Sequence, residues 1–328
     1  MDNLKRTVAF VFALASLMIV PTGGFTQTTN WPTRPITIVV PFPPGAAADF
    51  GGRLVRDVLE EQLGQPVVVE NRPGATGTVG SAIVARAAPD GYTLLVTVNA
   101  PITMNMQMQK SFPFDPAKAF VPIIRIADVI QVLAVNSNLP IHTIRDLIDY
   151  GKKNSDKKIN YGSSGVGSAH HLAGELLKQK TGLDLAHVPY RGGGPAMQDL
   201  IAGHIPIAFS STPAALPQAQ AGTIRIIGLA EEKRSPDLPN VPTISETVPG
   251  VITYTWVGVF APAGTPQPIV ARINKIVSDA IKKPEILAKM KVQGIAVAGG
   301  SSEDFASTIR TELDYWAKVV PSIGIKPE

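Results

Sequence analysis

The chain of 328 residues is 45% hydrophobic and 17% charged, enough apolar side chain for packed cores in two domains of ordinary size, so a disordered chain is excluded. Lysine plus arginine exceed aspartate plus glutamate by only 30 to 26, and the basic runs are pairs such as Lys157-Lys158 and Lys282-Lys283, so no nucleic-acid footprint is present. The absence of cysteine removes disulfides, thiolate metal sites, cysteine nucleophiles and a lipid anchor at a signal cleavage site.

Residues 1–26 read as a secretory signal: Lys5 and Arg6 form a basic start, Val8 to Val20 is apolar or small throughout, and Pro21 to Thr26 is small and turn-rich. The apolar run is too short to span a bilayer and no longer one follows, so export without stable membrane insertion is expected. From residue 33 short β-rich runs alternate with helical periodicity, which predicts an α/β protein with mostly parallel strands. Ile36 to Phe42 is the first strand, and Leu54, Val55, Val58, Leu59 and Leu63 then recur at helical spacing up to a Gly64 stop. Strands follow at Pro66 to Glu70 and Tyr92 to Val98, with a small-residue helix near Thr76 to Ala88 between them.

A second round begins with a strand at Ile130 to Val135 and a helix from Thr143 to Asn154 with Thr143 as its N-cap. The strand Ile159 to Ser163 empties through a glycine-rich stretch into a helix carrying Leu172, Leu176 and Leu177. Strands at Leu185 to Val188, Ile205 to Phe209 and Ile224 to Ala230 complete this unit, with a short helix Pro195 to Ala202 and a Pro/Ala-rich turn helix among them. The proline-punctuated segment Glu231 to Gly250 reads as a surface crossover. A strand at Trp256 to Ala261, helices at Thr265 to Lys282 and Pro284 to Val292, and a last helix from about Ser302 to Val320 with Phe305, Ile309, Leu313 and Trp316 on one stripe end the chain.

Strand, glycine-rich loop and helix thus occur twice, at 36–63 and at 159–181. A turn that empties into a helix N-terminus presents unpaired N–H groups with a partial positive charge behind them, a device that binds anions. The first such loop runs from Phe42 through Pro44, Gly45, Ala46, Ala47 and Ala48 to Asp49, and the second is Ser163-Ser164-Gly165-Val166-Gly167-Ser168. Both are poor in Lys and Arg, which favours a small carboxylate over a polyphosphate; ordinary tight turns are the plain alternative. Neither a P-loop Gly-Lys nor a third dinucleotide-binding glycine occurs, and Ser164 lacks the second glycine of a nucleophile elbow. His170 and His171 beside serines leave open an exported serine hydrolase using Ser164 or Ser168 with His171. Arg191, in Tyr190-Arg191-Gly192-Gly193-Gly194, either caps the far end of an anion or is a solvated loop residue.

Five ordered stretches carry a family resemblance: Pro41-Phe42-Pro43-Pro44-Gly45, Val69-Glu70-Asn71-Arg72-Pro73-Gly74-Ala75, Tyr161 to Ser168 through His171-Leu172, His187 to Gly192, and Pro262-Ala263-Gly264-Thr265-Pro266. From Trp31 onward the chain resembles the extracytoplasmic solute receptors of the Bug type, which serve tripartite tricarboxylate transporters. The resemblance implies a type II periplasmic-binding-protein fold, with two α/β domains around a ligand cleft and no cofactor. It implies a discontinuous first domain of 27–127 and 231–328, a second of 128–230, and crossings near Ala127 and Ala230. Periplasmic location and membrane components of such a transporter as partners are implied with it. The ligand carboxylate would be gripped by Phe42 to Asp49 and by Ser163 to Ser168, with His171 behind the second loop and Asp49 as a helix cap. Two departures bear on the ligand. Ala46-Ala47-Ala48 replaces a more glycine-rich loop, and Phe209-Ser210-Ser211-Thr212 has hydroxyls where many relatives carry an acid, which argues against an amine on the ligand. A dicarboxylate is expected, an aromatic one such as terephthalate included, its second acid meeting Ser210, Ser211, Thr212 or Arg191, with Asn99 and Thr103 as donors on the cleft wall.

Overall fold

The computed structural model describes residues 30–325, so the expected signal segment lies outside the described residues. Two mixed sheets organise the described chain. The first has the order β11-β4-β10-β3-β1-β2, built from β1 Ile36–Val40, β2 Val67–Asn71, β3 Thr93–Val98, β4 Phe120–Val129, β10 Thr255–Pro262 and β11 Ile295–Val297. The second has the order β7-β6-β8-β5-β9, from β5 Gln131–Asn136, β6 Ile159–Ser163, β7 Leu185–Pro189, β8 Ile207–Ser211 and β9 Ile224–Leu229. Each sheet with its helices forms one lobe of a two-domain periplasmic-binding-protein fold.

The expectation of mostly parallel strands needs correction. β1 pairs parallel with β2 and β3, and β6 with β7 and β8, but β10 is antiparallel to β3 and β4, β11 to β4, and β5 to β8 and β9. The reversal follows from the chain passing between lobes. β4 ends at Val129 and β5 starts at Gln131, so the chain leaves one sheet and enters the other within a single residue, and the entering strand runs against its neighbours β8 and β9. β10, the first strand after the return, is reversed for the same reason. The two passages lie side by side, with Ala230 N donating to Gln131 O and Thr253 N to Ala230 O.

Local sequence accounts for the elements that matter to the cleft. β1 is a β-branched run buried on both faces, as a strand between two helical layers must be. The helix Ala47–Leu63 stops at Gly64, whose φ of 64° lets its N–H return to Glu60 O. This helix touches its sheet closely, since a Cβ on Gly52 would lie 2.5 Å from Val40. The first core gathers Leu95, Trp256, Phe260, Phe305 and Ile309, and the second Leu133, Tyr161, Leu177 and Phe209. A smaller cluster joins the lobes: Met104 and Met108 of the first, Ala169 and Leu172 of the second, and Trp316 and Val320 of the C-terminal helix Ser302–Ser322. That helix starts on a Ser301/Asp304 capping box and runs from the first core to the root of the second lobe's helix Ala169–Thr181.

Candidate ligand cleft

Between the lobes lies a cleft of about 350 Å³. Four helices begin on its walls: Ala47–Leu63 from the first lobe, and Ala169–Thr181, Gly193–Ala202 and Thr212–Gln220 from the second. Among the described residues that line it there is no Lys, Arg, Asp or Glu. Positive potential there comes from main-chain N–H groups at helix starts, with Phe42, Val98, Met197, Ile201 and Pro213 supplying apolar walls.

The first loop is held from below. Gly45 adopts φ of 84°, and its N–H donates to the Asp49 carboxylate at 3.0 Å. Asn71 Nδ2 spans from the Phe42 carbonyl to Asp49 Oδ1, both at 2.9 Å, and Arg53 Nε completes the carboxylate at 2.9 Å. Burial alone would raise the Asp49 pKa, but the hydrogen bonds from Arg53, Asn71 and Gly45 outweigh it and hold the group below the ordinary carboxylate range. The N-cap position is Ala46, which has no side chain to cap with, so the first-turn N–H groups of Ala47 and Ala48 take no acceptor among the described residues. Asp49 therefore braces the loop from behind and does not itself line the cleft.

The second loop is pinned by three histidines. Ser163 Oγ lies 2.6 Å from His187 Nε2 and accepts from Gly165 N at 3.1 Å. Gly167 N donates to His171 Nδ1 at 3.3 Å, and His171 stacks on His187 with ring centroids 4.0 Å apart. Ser168 caps its helix by accepting from His171 N at 3.2 Å and donates to Gly165 O at 2.7 Å. Ser164 Oγ sits 2.7 Å from His170 Nδ1. Burial lowers the pKa of His170 and of His171 to about 4, and burial with neighbouring His171 lowers that of His187 to about 3, so all three are neutral at pH 7. The hydrolase pairing expected from the sequence is corrected by this geometry: Ser164 pairs with His170, while His171 and Ser168 are engaged within the loop.

Of the residues singled out in the sequence, Phe42, Gly45, Ala46, Ala47, Ala48, Asn99, Ser164, Ser168 and Ser211 line the cleft. Val166 and Arg191 line an adjoining hollow that shares Phe42, Thr76 and Ser164 with it; Arg191 is exposed there. Pro44 is exposed and lines neither. Ser163, Gly165, Gly167 and His171 lie in the layer behind, as does Ser210, whose buried Oγ has no partner. Two expectations are corrected. Thr103 does not reach the cleft: its hydroxyl donates to Glu312 at 2.9 Å. Asn99 lines the cleft but is not a free donor there, because its Nδ2 donates to Tyr254 O at 2.8 Å, leaving Oδ1 unpartnered.

Sequence reasoning missed His170, Thr76 and Gln131 as cleft residues. Thr76 and its neighbour Ala75 have left-handed backbones, φ 49° and 45°, and the Thr76 hydroxyl donates to Val166 O of the other lobe at 2.6 Å. A glycine on either side, Gly74 and Gly77, was the available signal that this turn is unusual.

Comparison with known proteins agrees with this geometry. Residues 52–325 match the family model for the tripartite tricarboxylate transporter family receptor. BugT of Bordetella pertussis is 33% identical over 328 residues, covering 99% of both chains. A Pseudomonas sp. (strain P51) protein encoded in the tcbD-tcbE intergenic region is 36% identical over 312 residues, 94% of this chain and 92% of that one. Among solved structures, an R. palustris protein with adipate is 36% identical with a TM-score of 0.87, covering 91% of this chain and 100% of the other. MatC from Rhodopseudomonas palustris with bound malate is 31% identical with a TM-score of 0.83, covering 88% and 100%. The chain belongs to the tripartite tricarboxylate transporter receptor family and is a Bug-type periplasmic solute-binding protein.

Proposed function

We propose that the protein captures a small dicarboxylate by closure of its two lobes and delivers it to the membrane components of a tripartite tricarboxylate transporter. The observation that carries this reading is a cleft without charged side chains among its described residues, onto which helix starts of both lobes open. Such a site stabilises a carboxylate through main-chain N–H groups at either end and rewards an apolar middle. The adipate-bound relative supports a diacid with an apolar body, and the cleft's apolar walls extend that choice to an aromatic diacid such as terephthalate. In this reading 1–26 is an export signal, 27–127 with 231–328 forms one domain, 128–230 forms the other, and they move about the paired passages at Ile130 and Ala230.

The exported hydrolase has less support, because no described carboxylate hydrogen-bonds to His170 to orient it as a base. A thermal-shift screen of mono-, di- and tricarboxylates, aliphatic and aromatic, separates the readings. A diacid at about 100 times its dissociation constant should add about 2.7 kcal/mol of stability, and the same diacid should contract the X-ray scattering profile. Steady turnover of a chromogenic ester that is lost on Ser164→Ala, with no carboxylate raising the melting temperature, would overturn the receptor reading for this chain.

A further inference from the structure

Glu312 is 1% exposed, in the middle of the C-terminal helix, on the stripe that otherwise reads Phe305, Ile309, Trp316 and Val320. Its carboxylate accepts from Trp256 Nε1 and from Thr103 Oγ1, and the Asn99 amide also stabilises its charge. Thr103 in turn hydrogen-bonds to Asn99 O at 3.2 Å. Asn99 and Ala100, which open the turn Ala100–Met104, line the cleft. A buried acid so far from Thr103 in sequence thus holds the turn that forms part of the cleft floor, and the ligand mechanism described above does not use it.

We infer that Glu312 is a positioning residue of the ligand cleft, holding the Asn99–Thr103 turn and making the affinity for an anionic ligand depend on its own protonation. The inference rests on the dicarboxylate reading. Ionised, Glu312 accepts from all its donors but places a negative charge behind the cleft floor. Protonated, it must donate from one oxygen, and of its partners only the Thr103 hydroxyl can turn round to accept; the indole N–H and the amide N–H cannot. A proton on the oxygen facing Thr103 therefore removes the charge and keeps the turn in place. Burial raises the Glu312 pKa to about 7, against lowering by Trp256, Thr103, Asn99 and the charge of Arg125 on β4. The other titratable groups around it are Tyr254, whose own pKa is raised by burial and by Glu312, Tyr315, and Asp128, which is tied to Arg125 at 3.4 Å. By linkage, an anionic ligand raises the Glu312 pKa further, and protonation of Glu312 tightens the ligand by the same factor.

The test compares wild type with Glu312→Gln, which keeps the shape and an acceptor for Trp256. In ligand-free protein the side-chain amide resonance of Asn99 should move with a midpoint near about pH 7 and stay still in the variant. With adipate as the probe, calorimetry should show affinity rising roughly fivefold from about pH 8.5 to 6.5 with proton uptake, and a shallower profile with less uptake in the variant, where the partly buried Glu231 beside Gln131 still titrates. An Asn99 resonance that does not titrate, or the same pH profile in both proteins, overturns the inference. If no diacid binds the wild type at either pH, the dicarboxylate reading falls, while the Asn99 titration still decides whether Glu312 governs the turn.

Discussion

Gly167→Ala should weaken ligand binding by at least about tenfold, a loss of about 1.4 kcal/mol or more. Gly167 has φ of 80°, where any other residue pays a conformational cost of order 1 to 2 kcal/mol. Its added Cβ would fall 2.2 Å from Asn105 Oδ1 across the lobe boundary. Asn105 cannot move freely, because its Nδ2 holds Thr76 O and Thr78 Oγ1, both at 3.1 Å, and so fixes the left-handed Ala75-Thr76 turn that reaches Val166. Gly165→Ala acts on the same contact from the other side, its Cβ 2.7 Å from Thr76 Oγ1. His170→Ala removes the bonds to Ser164 and to the Ser210 backbone but brings no clash and no strained backbone, and should cost less than either. Calorimetry on variants that still melt cooperatively measures this order, and equal losses at all three positions would contradict the placement of the second loop.

Asp49→Ala is expected to cost about 2 to 3 kcal/mol of stability and to weaken binding as strongly, although Asp49 does not line the cleft. The substitution leaves the Gly45 N–H and one acceptor-directed hydrogen of Asn71 without their partner, and Asn71 also holds the Phe42 carbonyl. The loop before the helix Ala47–Leu63 loses its anchor, and the amides of Ala47 and Ala48 lose their aim. Asp49→Asn should be intermediate, because one amide oxygen replaces two carboxylate oxygens. Chemical denaturation and ligand calorimetry on the two variants check the order; an alanine variant that keeps wild-type affinity would show that the first loop needs no anchor. Because the Asp49 carboxyl is held below its ordinary range, its contribution is present above that range and is lost only as the pH falls through it. Glu312 works in the opposite sense. Its folded pKa of about 7 exceeds the ordinary 4.5, so its contribution to stability is full below 4.5 and is lost as the pH rises through about 7.

Where local chemistry decides the structure, the sequence was readable. Gly64 stops its helix in the left-handed conformation, and Thr143 caps its helix in a box with Asp146. Both loops that precede helices, at 42–49 and at 163–168, stand on the cleft because a strand followed by a helix puts them at the carboxyl edge of their sheets. What failed depended on contacts between distant segments. β4 was not foreseen, since Pro122, Arg125 and Asp128 break up its apolar residues; β11 covers only Ala127 to Val129, so the proline falls where that side of the strand is uncovered. The fates of Thr103 and Asn99 turn on Glu312 and Tyr254, more than a hundred residues away. The stripe Phe305, Ile309, Trp316 was visible, yet Glu312 lies on it too, and a charged residue within an apolar stripe was the unused signal.

The most direct measurement is calorimetry with matched ligands: adipate against 2-aminoadipate and against the monoamide of adipic acid, and terephthalate against its monoamide. With no Asp or Glu among the described lining residues, and Thr212, at the start of its helix, turned away to donate to Gly294 O at 2.7 Å, an amine has no counter-charge in the cleft. Burying an unpaired charge costs several kcal/mol, so the plain diacids should bind tightest, with 2-aminoadipate at least about tenfold weaker and the monoamides in between. Tighter binding of 2-aminoadipate than of adipate would contradict the reading of this protein as a receptor for dicarboxylates without an amine.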